Sequence, residues 1–405
     1  MLQLFKKERM WRDLPLGNRY DIVIIGAGAH GLAIAYYLGK RGITNIAILD
    51  KGYLGGGASA RSTAILRANY VTVEGIHFFH ESLKLYEDLS QDLNYNLLFS
   101  QFGRLELGHT ESSTYALRTR AEMNAAMGVD SRMIEPDEIK ELVPPLNMRE
   151  NDDLPILAAL YHPPAGVIRH DAVIWGYARA ADHFGAEIHP FTEVTAINRQ
   201  NGRVTGVETN RGNIESGLVL NCTAAWSSTV SKMVDLELPI VTHPLQAMVT
   251  EPLKPFIDTG VSSANLHVYV YQTDRGELVI GGAVDHYPTY SQKSTFTRME
   301  ELVASTLKLF PCLRGVNILR QWAGLCDMTP DNGPIMGPAP GLEGFLLDVG
   351  WGTYGFKAAP IAGKTMAELI DTGRTPDLIK PFSIERFSDG RLVNEKGAAP
   401  SAALL

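Results

Sequence analysis

Asp21–Gly31 reads DIVIIGAGAHG, an apolar run of strand character that turns directly into Gly26-x-Gly28-x-x-Gly31. Each glycine in this spacing has a physical task. Gly26 permits the tight turn, Gly28 lets backbone approach a pyrophosphate, and Gly31 lets the following helix pack closely on the sheet. The spacing predicts a helix over 29–40 whose positive N-terminal end faces the phosphates. Asn45–Leu49 reads as the next strand and ends at Asp50, whose carboxylate can accept hydrogen bonds from ribose hydroxyls and would repel a 2′-phosphate. Strand, glycine turn, helix and acid together indicate a dinucleotide site; a lone glycine motif would not. The plainer reading is a closely packed βαβ unit that binds nothing.

The chain has 405 residues, a size that suits two domains, with 45% hydrophobic and 20% charged residues. A net charge of −8, with no dense run of Lys and Arg, excludes a nucleic-acid-binding surface. The first seventeen residues are basic but have no apolar signal-peptide core. Ile22–Leu38 is apolar but interrupted by glycines and a histidine, so it fits a βα unit better than a membrane span. Cys222, Cys312 and Cys326 are too scattered for a disulfide framework or a zinc site, and their number suits a reducing cytoplasm. His77 and His80 form an HxxH without further ligands nearby and read as a helix face. No metal is expected.

Beyond Asp50, Gly55–Thr63 (GGGASARST) is a small-residue loop that could be a flexible linker. Its place after the second strand would equally let a cofactor lie against its N–H groups. Helical spacing covers 77–87, 112–127 and 171–185, with Ile174, Tyr177, Ala178 and Ala181 on one stripe of the last. Prolines 136, 144, 145, 155, 163 and 164 mark a loop-rich crossing. A β-meander is expected over 187–191, 194–199, 204–209 and 217–222, and a second all-β region over 243–285. Leu346–Val349 then reads as a strand, followed by Gly350–Lys357 (GWGTYGFK) and a helix over 358–369. These glycines either cap a strand or let a planar ring lie against the loop with a helix end aimed at it. A flavin suits the second reading, since its reduced ring carries negative charge that a helix dipole and a lysine stabilise.

These segments, together with ARSTAILRANY (60–70), AGVIRHDAVIWGYARAA (165–181), LPIVTHPLQAMV (238–249) and NLHVYVYQTDRGELVIGG (265–282), resemble the amine-oxidising flavoprotein superfamily that includes D-amino-acid oxidase. Within it they resemble most the β-subunit family of heterotetrameric sarcosine oxidases, over nearly the whole chain. The resemblance implies an α/β fold: a Rossmann-like FAD domain of the glutathione-reductase type with an inserted antiparallel-sheet substrate domain. The expected spans are 1–80, 155–242 and 325–405 for the first, and 81–154 and 243–324 for the second. FAD would lie non-covalently along Gly26, Gly28, Ala29, His30, Gly31, Asp50, Ala58, Ser59, Arg61, Thr63, Ile65, Val194, Gly352, Gly355 and Lys357. One-flavin relatives attach FAD through a cysteine near the position of Gly324. Cys326, two residues on, is expected to be a packed thiol.

The resemblance further implies oxidative demethylation of sarcosine, N-methylglycine, to glycine and a one-carbon unit, formaldehyde or methylenetetrahydrofolate, with formation of hydrogen peroxide. Arg67 would fork the substrate carboxylate and Lys357 would meet it as a point charge. A second flavin, FMN, would be bonded covalently to His170 at the interface with an α subunit, with γ and δ subunits completing the oligomer. Composition alone makes His170 a solvated residue at a helix start. Other readings are an FAD-dependent dehydrogenase for N-methylglutamate, proline or hydroxyproline, an NAD-dependent dehydrogenase, or a subunit that only relays electrons. The NAD reading leaves the second glycine loop without a role.

Overall fold

The computed structural model describes residues 9–149 and 153–396, so the outer ends of the expected spans, residues 1 and 405, lie outside it. The strand Ile22–Ile25 lies near the middle of a six-stranded sheet. The order is Ile335–Pro338, Phe345–Val349, Val219–Asn221, Ile22–Ile25, Ile46–Leu49 and Glu187–His189. All pairings are parallel except the first, which is antiparallel. Side chains alternate across the sheet, so its two faces serve different cores. Ile22, Ile24, Ile46 and Ile48 pack with the helices Ala29–Lys40, His170–His183 and Gly355–Thr372. Val23, Ile25, Ala47 and Leu49 pack with Val194, Ile197, Val204, Val207 and Ile214 of a three-stranded meander. Helices, sheet and meander form three layers, the arrangement expected of a parallel sheet buried on both faces.

An eight-stranded mixed sheet forms the second lobe. Its order is Ile318–Met328, Val241–Pro252, Glu277–Val284, Val268–Gln272, Gly260–Ser263, Arg104–Gly108, Ala158–His162 and Arg132–Ile134. Only the pairing of Gly260–Ser263 with Arg104–Gly108 is parallel. Its core gathers Leu105, Leu107, Val261, Val270 and Ile280 against Ile139 and Leu302 of two covering helices. The α/β class with an added, largely antiparallel sheet is as the sequence implies.

Several details differ from the sequence expectations. Glu187–His189 and Val219–Asn221 are not meander strands. They pair in the six-stranded sheet, and Gly212–Glu215 completes the meander instead. The helix Val73–Asp92, which buries one continuous face, and the strand Ile318–Met328, which pairs along most of its length with Val241–Pro252, run unbroken across the expected boundaries near 80 and 325. Ala158–His162 belongs to the eight-stranded sheet although it falls in the expected cofactor span. Pro136 does not interrupt structure; it starts the helix Pro136–Leu142, where its missing N–H costs nothing.

A C-terminal strap crosses back over the cofactor lobe. Arg386 forks Asp331 at 2.7 and 3.0 Å, and the N–H groups of Val393 and Glu395 donate to the Asp331 side chain and carbonyl. The Glu395 carboxylate then accepts from the Thr72 N–H (3.1 Å) and hydroxyl (2.7 Å) at the start of Val73–Asp92. Among the described residues, no helix is long and apolar enough to cross a membrane.

Candidate active site

The glycine turn after Ile22–Ile25 is forced by its neighbours. Gly26 has φ +113°, and a side chain there would run into the Cys222 carbonyl at 2.4 Å. A side chain at Gly31 would lie 2.0 Å from the Gly26 carbonyl, so the helix could not approach the turn. Gly28 is the N-cap of Ala29–Lys40 and supplies no side-chain cap of its own. The Ala29 N–H meets Ser59 Oγ at 3.1 Å. Asp50 accepts from the Ala27 and Gly52 N–H groups, each at 2.8 Å, and burial raises its carboxyl above the ordinary range against those two bonds.

The small-residue loop is ordered. Ser59–Arg61 forms a 3-10 turn, and the Arg61 guanidinium folds back onto the Gly56 and Gly57 carbonyls. Trp322 Nε1 donates to the Arg61 carbonyl at 3.0 Å, and the Tyr271 hydroxyl to the Thr63 carbonyl at 2.6 Å. The loop is thus tied to the eight-stranded sheet, not free as a linker.

His30 joins the two glycine loops. Its Nδ1 lies 2.9 Å from Asp348 Oδ2 and its Nε2 lies 2.7 Å from the Gly355 carbonyl. Both partners are acceptors, so only the doubly protonated ring satisfies both. Burial opposes that charge, but Asp348, assisted by the Gly355 carbonyl, outweighs it and raises the imidazole above its ordinary value. Asp348 also accepts from Trp351 Nε1 at 2.8 Å. Asp327 holds the loop from below, accepting from the N–H groups of Gly350, Trp351 and Gly352; burial raises its carboxyl to about 6.

At the other end of the same space the chain gathers cations. Arg67 is 2% exposed, donates to the carbonyl and Oδ1 of Asn69, and lies 4.3 Å over the Tyr70 ring. Arg120 donates to the same Asn69 carbonyl. Arg104 pairs with Glu106 at 2.7 Å. Lys357, in the first turn of Gly355–Thr372, opens on the cavity. Burial and then repulsion from Arg67, Arg104 and Arg120 push its amine well below 10.5.

One cavity of about 470 Å³ connects these groups, within the range of small-molecule sites. It is lined by Gly26, Gly28, Ala29, His30, Asp50, Ala58, Ser59, Arg61, Thr63, Ile65, Arg67, Val194, Gly352, Gly355 and Lys357. Gly31 does not line it and acts from behind the turn. His170 does not line it either. It begins the helix His170–His183, near the Ala60 backbone, and burial lowers its imidazole below the ordinary value. Beside it Arg169 pairs with Asp171 at 2.8 Å. Cys326 is buried beside the cavity and its thiol is raised by burial to about 12.

Sequence reasoning misses Arg104, Asp327, Asp348 and Trp351. Asp348 and Trp351 flank the second glycine loop and could have been found as polar side chains at its edges. Arg104 looks like any strand residue, and Asp327 stands alone in an apolar strand; nothing local marks either.

The family described as "FAD dependent oxidoreductase" matches residues 21–369. The chain is 43% identical to a sarcosine oxidase subunit beta of Rhodobacter capsulatus, over 97% of this chain and 94% of that one. It is 42% identical to the subunit of the same name from an Arthrobacter species, over 98% of each. Among solved structures it is similar to L-proline dehydrogenase from P. horikoshii, with TM-score 0.88 and 30% identity, covering 94% of this chain and all of that one. The chain therefore belongs to the FAD-dependent oxidoreductase family, among the sarcosine oxidase β subunits.

Proposed function

We propose that this chain is the FAD-bearing β subunit of a sarcosine oxidase, oxidising the secondary amine of N-methylglycine and releasing glycine and a one-carbon unit. One observation carries the reading: a single cavity runs from the glycine cradle to two basic side chains, Arg67 and Lys357. The residues fit FAD. The N-terminal end of the helix Ala29–Lys40 would face the pyrophosphate, Asp50 the ribose, and Gly352, Gly355 and Lys357 the ring system. Bound FAD supplies the two-electron acceptor that the chain itself lacks. Arg67 offers a planar fork to a carboxylate, and Lys357 a compact charge. A substrate carboxylate held there would orient the N-methyl carbon, while the buried walls exclude water. The test is anaerobic bleaching of the purified yellow protein by sarcosine, N-methylglutamate and proline in turn. Sarcosine should bleach it fastest; a clear preference for another amine would reassign the substrate.

We further propose that His170 carries FMN covalently and that α, γ and δ subunits complete the enzyme. Support comes from the subunit names of the relatives and from the neutral state that burial favours for the imidazole, which is its nucleophilic form. Trp175, in the same helix, is 40% exposed, and Leu98 is 47% exposed, apolar surface suited to a partner. Three unpaired cysteines suit a cytoplasmic setting. Acid precipitation should release FAD while leaving a yellow chromophore on wild type and none on His170→Ala. Complete release from wild type would remove FMN from the proposal.

A further inference from the structure

We propose that Lys357 is an uncharged amine in the free protein and takes the proton that the substrate's ammonium group must lose, becoming the ion that then pairs with the substrate's carboxylate. The inference rests on the amino-acid substrate proposed above.

The argument begins with a charge imbalance. Arg67, Arg104 and Lys357 line the cavity, Arg120 acts on them from outside it, and two carboxylates, Glu106 and Glu395, act on the arginines. Glu106 is taken by Arg104 at 2.7 Å and by the Ser262 hydroxyl at 2.8 Å. Glu395 is engaged by Thr72. Among the described residues, the charged groups that act most on Lys357 are the cations Arg67, Arg104 and Arg120. The helix Val73–Asp92 presents the hydroxyls of Ser82 and Tyr86, which donate to the Lys357 and Phe356 carbonyls. Tyr354 lies 5.9 Å from the amine, and burial raises Tyr70 and Tyr269 above the ordinary phenol range, leaving both neutral.

A buried cluster with excess positive charge relaxes by losing a proton where it can. Guanidinium groups keep theirs at any working pH, so lysine is the member that yields. His162 lies in the same field. It lies in the neighbouring strand Ala158–His162, and burial together with Arg67, Arg120 and Arg104 lowers its imidazole to about 3.

The chemistry requires such a group. A secondary amino acid arrives as a zwitterion, and an ammonium nitrogen has no lone pair to assist loss of hydride. On binding, its N–H bond breaks, the electron pair stays on nitrogen, and the proton moves to Lys357 Nζ. That pair would become the C=N bond as the C–H bond gives up its hydride, for which FAD, when bound, would supply the two-electron acceptor of the proposed activity. The arriving carboxylate makes a charged Lys357 favourable at the same moment, so deprotonation and anchoring are one event.

Calorimetry on the FAD-loaded protein tests this, with methoxyacetate as a carboxylate that has no ammonium proton to give. Titrations near pH 7.5 in buffers of different ionisation enthalpy should show uptake of about one proton per molecule bound. Lys357→Arg, which is charged beforehand, should bind with no uptake. Lys357→Met should also show none. In Lys357→Arg the rate of anaerobic flavin reduction over KM should rise about tenfold per pH unit below the substrate's own amine pKa, because only free amine reacts, while wild type stays flatter. Binding by wild type without proton uptake would overturn the inference and leave the proposed function standing. Failure of methoxyacetate to perturb the flavin spectrum or compete with sarcosine would overturn the carboxylate site itself, and the inference with it.

Discussion

Arg67 and Lys357 reach one cavity from positions 290 residues apart (357 − 67), and each can be removed without dismantling its surroundings. Asn69 keeps Arg120 when Arg67 is lost, and Lys357 follows two residues that carry the loop geometry. Arg67→Ala and Lys357→Ala should each lower kcat/KM for sarcosine about a hundredfold, the loss of one charge-assisted contact worth on the order of 2–3 kcal/mol, with circular dichroism unchanged. Unaltered kinetics would remove both from the site. His30 calls for a different measurement. Its imidazole is raised above the ordinary 6.5, so its contribution to stability is fully present below that value and is lost as pH rises through the folded value. His30→Gln, which cannot donate to Asp348 and the Gly355 carbonyl together, should cost about 1.5–3 kcal/mol near pH 6. The gap in Tm between the two proteins should narrow toward pH 9; a constant gap would mean the ring is not charged. His30 was legible only as part of a dinucleotide motif. Its ionic partner, Asp348, lies far along the chain, and pairing over that separation leaves no local pattern.

Among the elements, the helix Ala29–Lys40 was legible to the residue because an apolar strand, spaced glycines and a long apolar stripe agree locally. The strands Glu187–His189 and Val219–Asn221 were read as strands but assigned to the wrong sheet. Three-residue β-rich stretches look alike whether they pair with a hairpin neighbour or with a parallel partner well over a hundred residues away. The second glycine loop was legible as a loop, while its support, Asp327, was not. Gly31→Ala tests how tightly the first helix must approach: the added methyl meets the Gly26 carbonyl, so about 1–3 kcal/mol of stability should be lost, together with most bound FAD. Retention of FAD with an unchanged Tm would show that the turn can give way.

At the level of the whole molecule, the six strands of the cofactor sheet fall at 22–25, 46–49, 187–189, 219–221, 335–338 and 345–349. We propose the discontinuous division 1–80, 155–242 and 325–405 on this basis, with its edges moved to keep Val73–Asp92 and Ile318–Met328 whole. The C-terminal strap gives this division a mechanical test. Glu395→Ala removes the acceptor for Thr72 and should lower stability by about 1–2 kcal/mol, read as Tm with the FAD-loaded protein. No change would leave the strap as packing alone. The placement of Val219–Asn221 between Ile22–Ile25 and Phe345–Val349 also bears on biosynthesis. While the chain leaves the ribosome, one flank of that strand stays bare until Phe345–Val349, 124 residues further on (345 − 221), has emerged. At roughly 5–20 residues per second, this leaves an apolar edge open for several seconds. Nascent chains should therefore depend on chaperones late in translation, and flavin supplied during synthesis should raise yield only once residues beyond Lys357 are available to receive it.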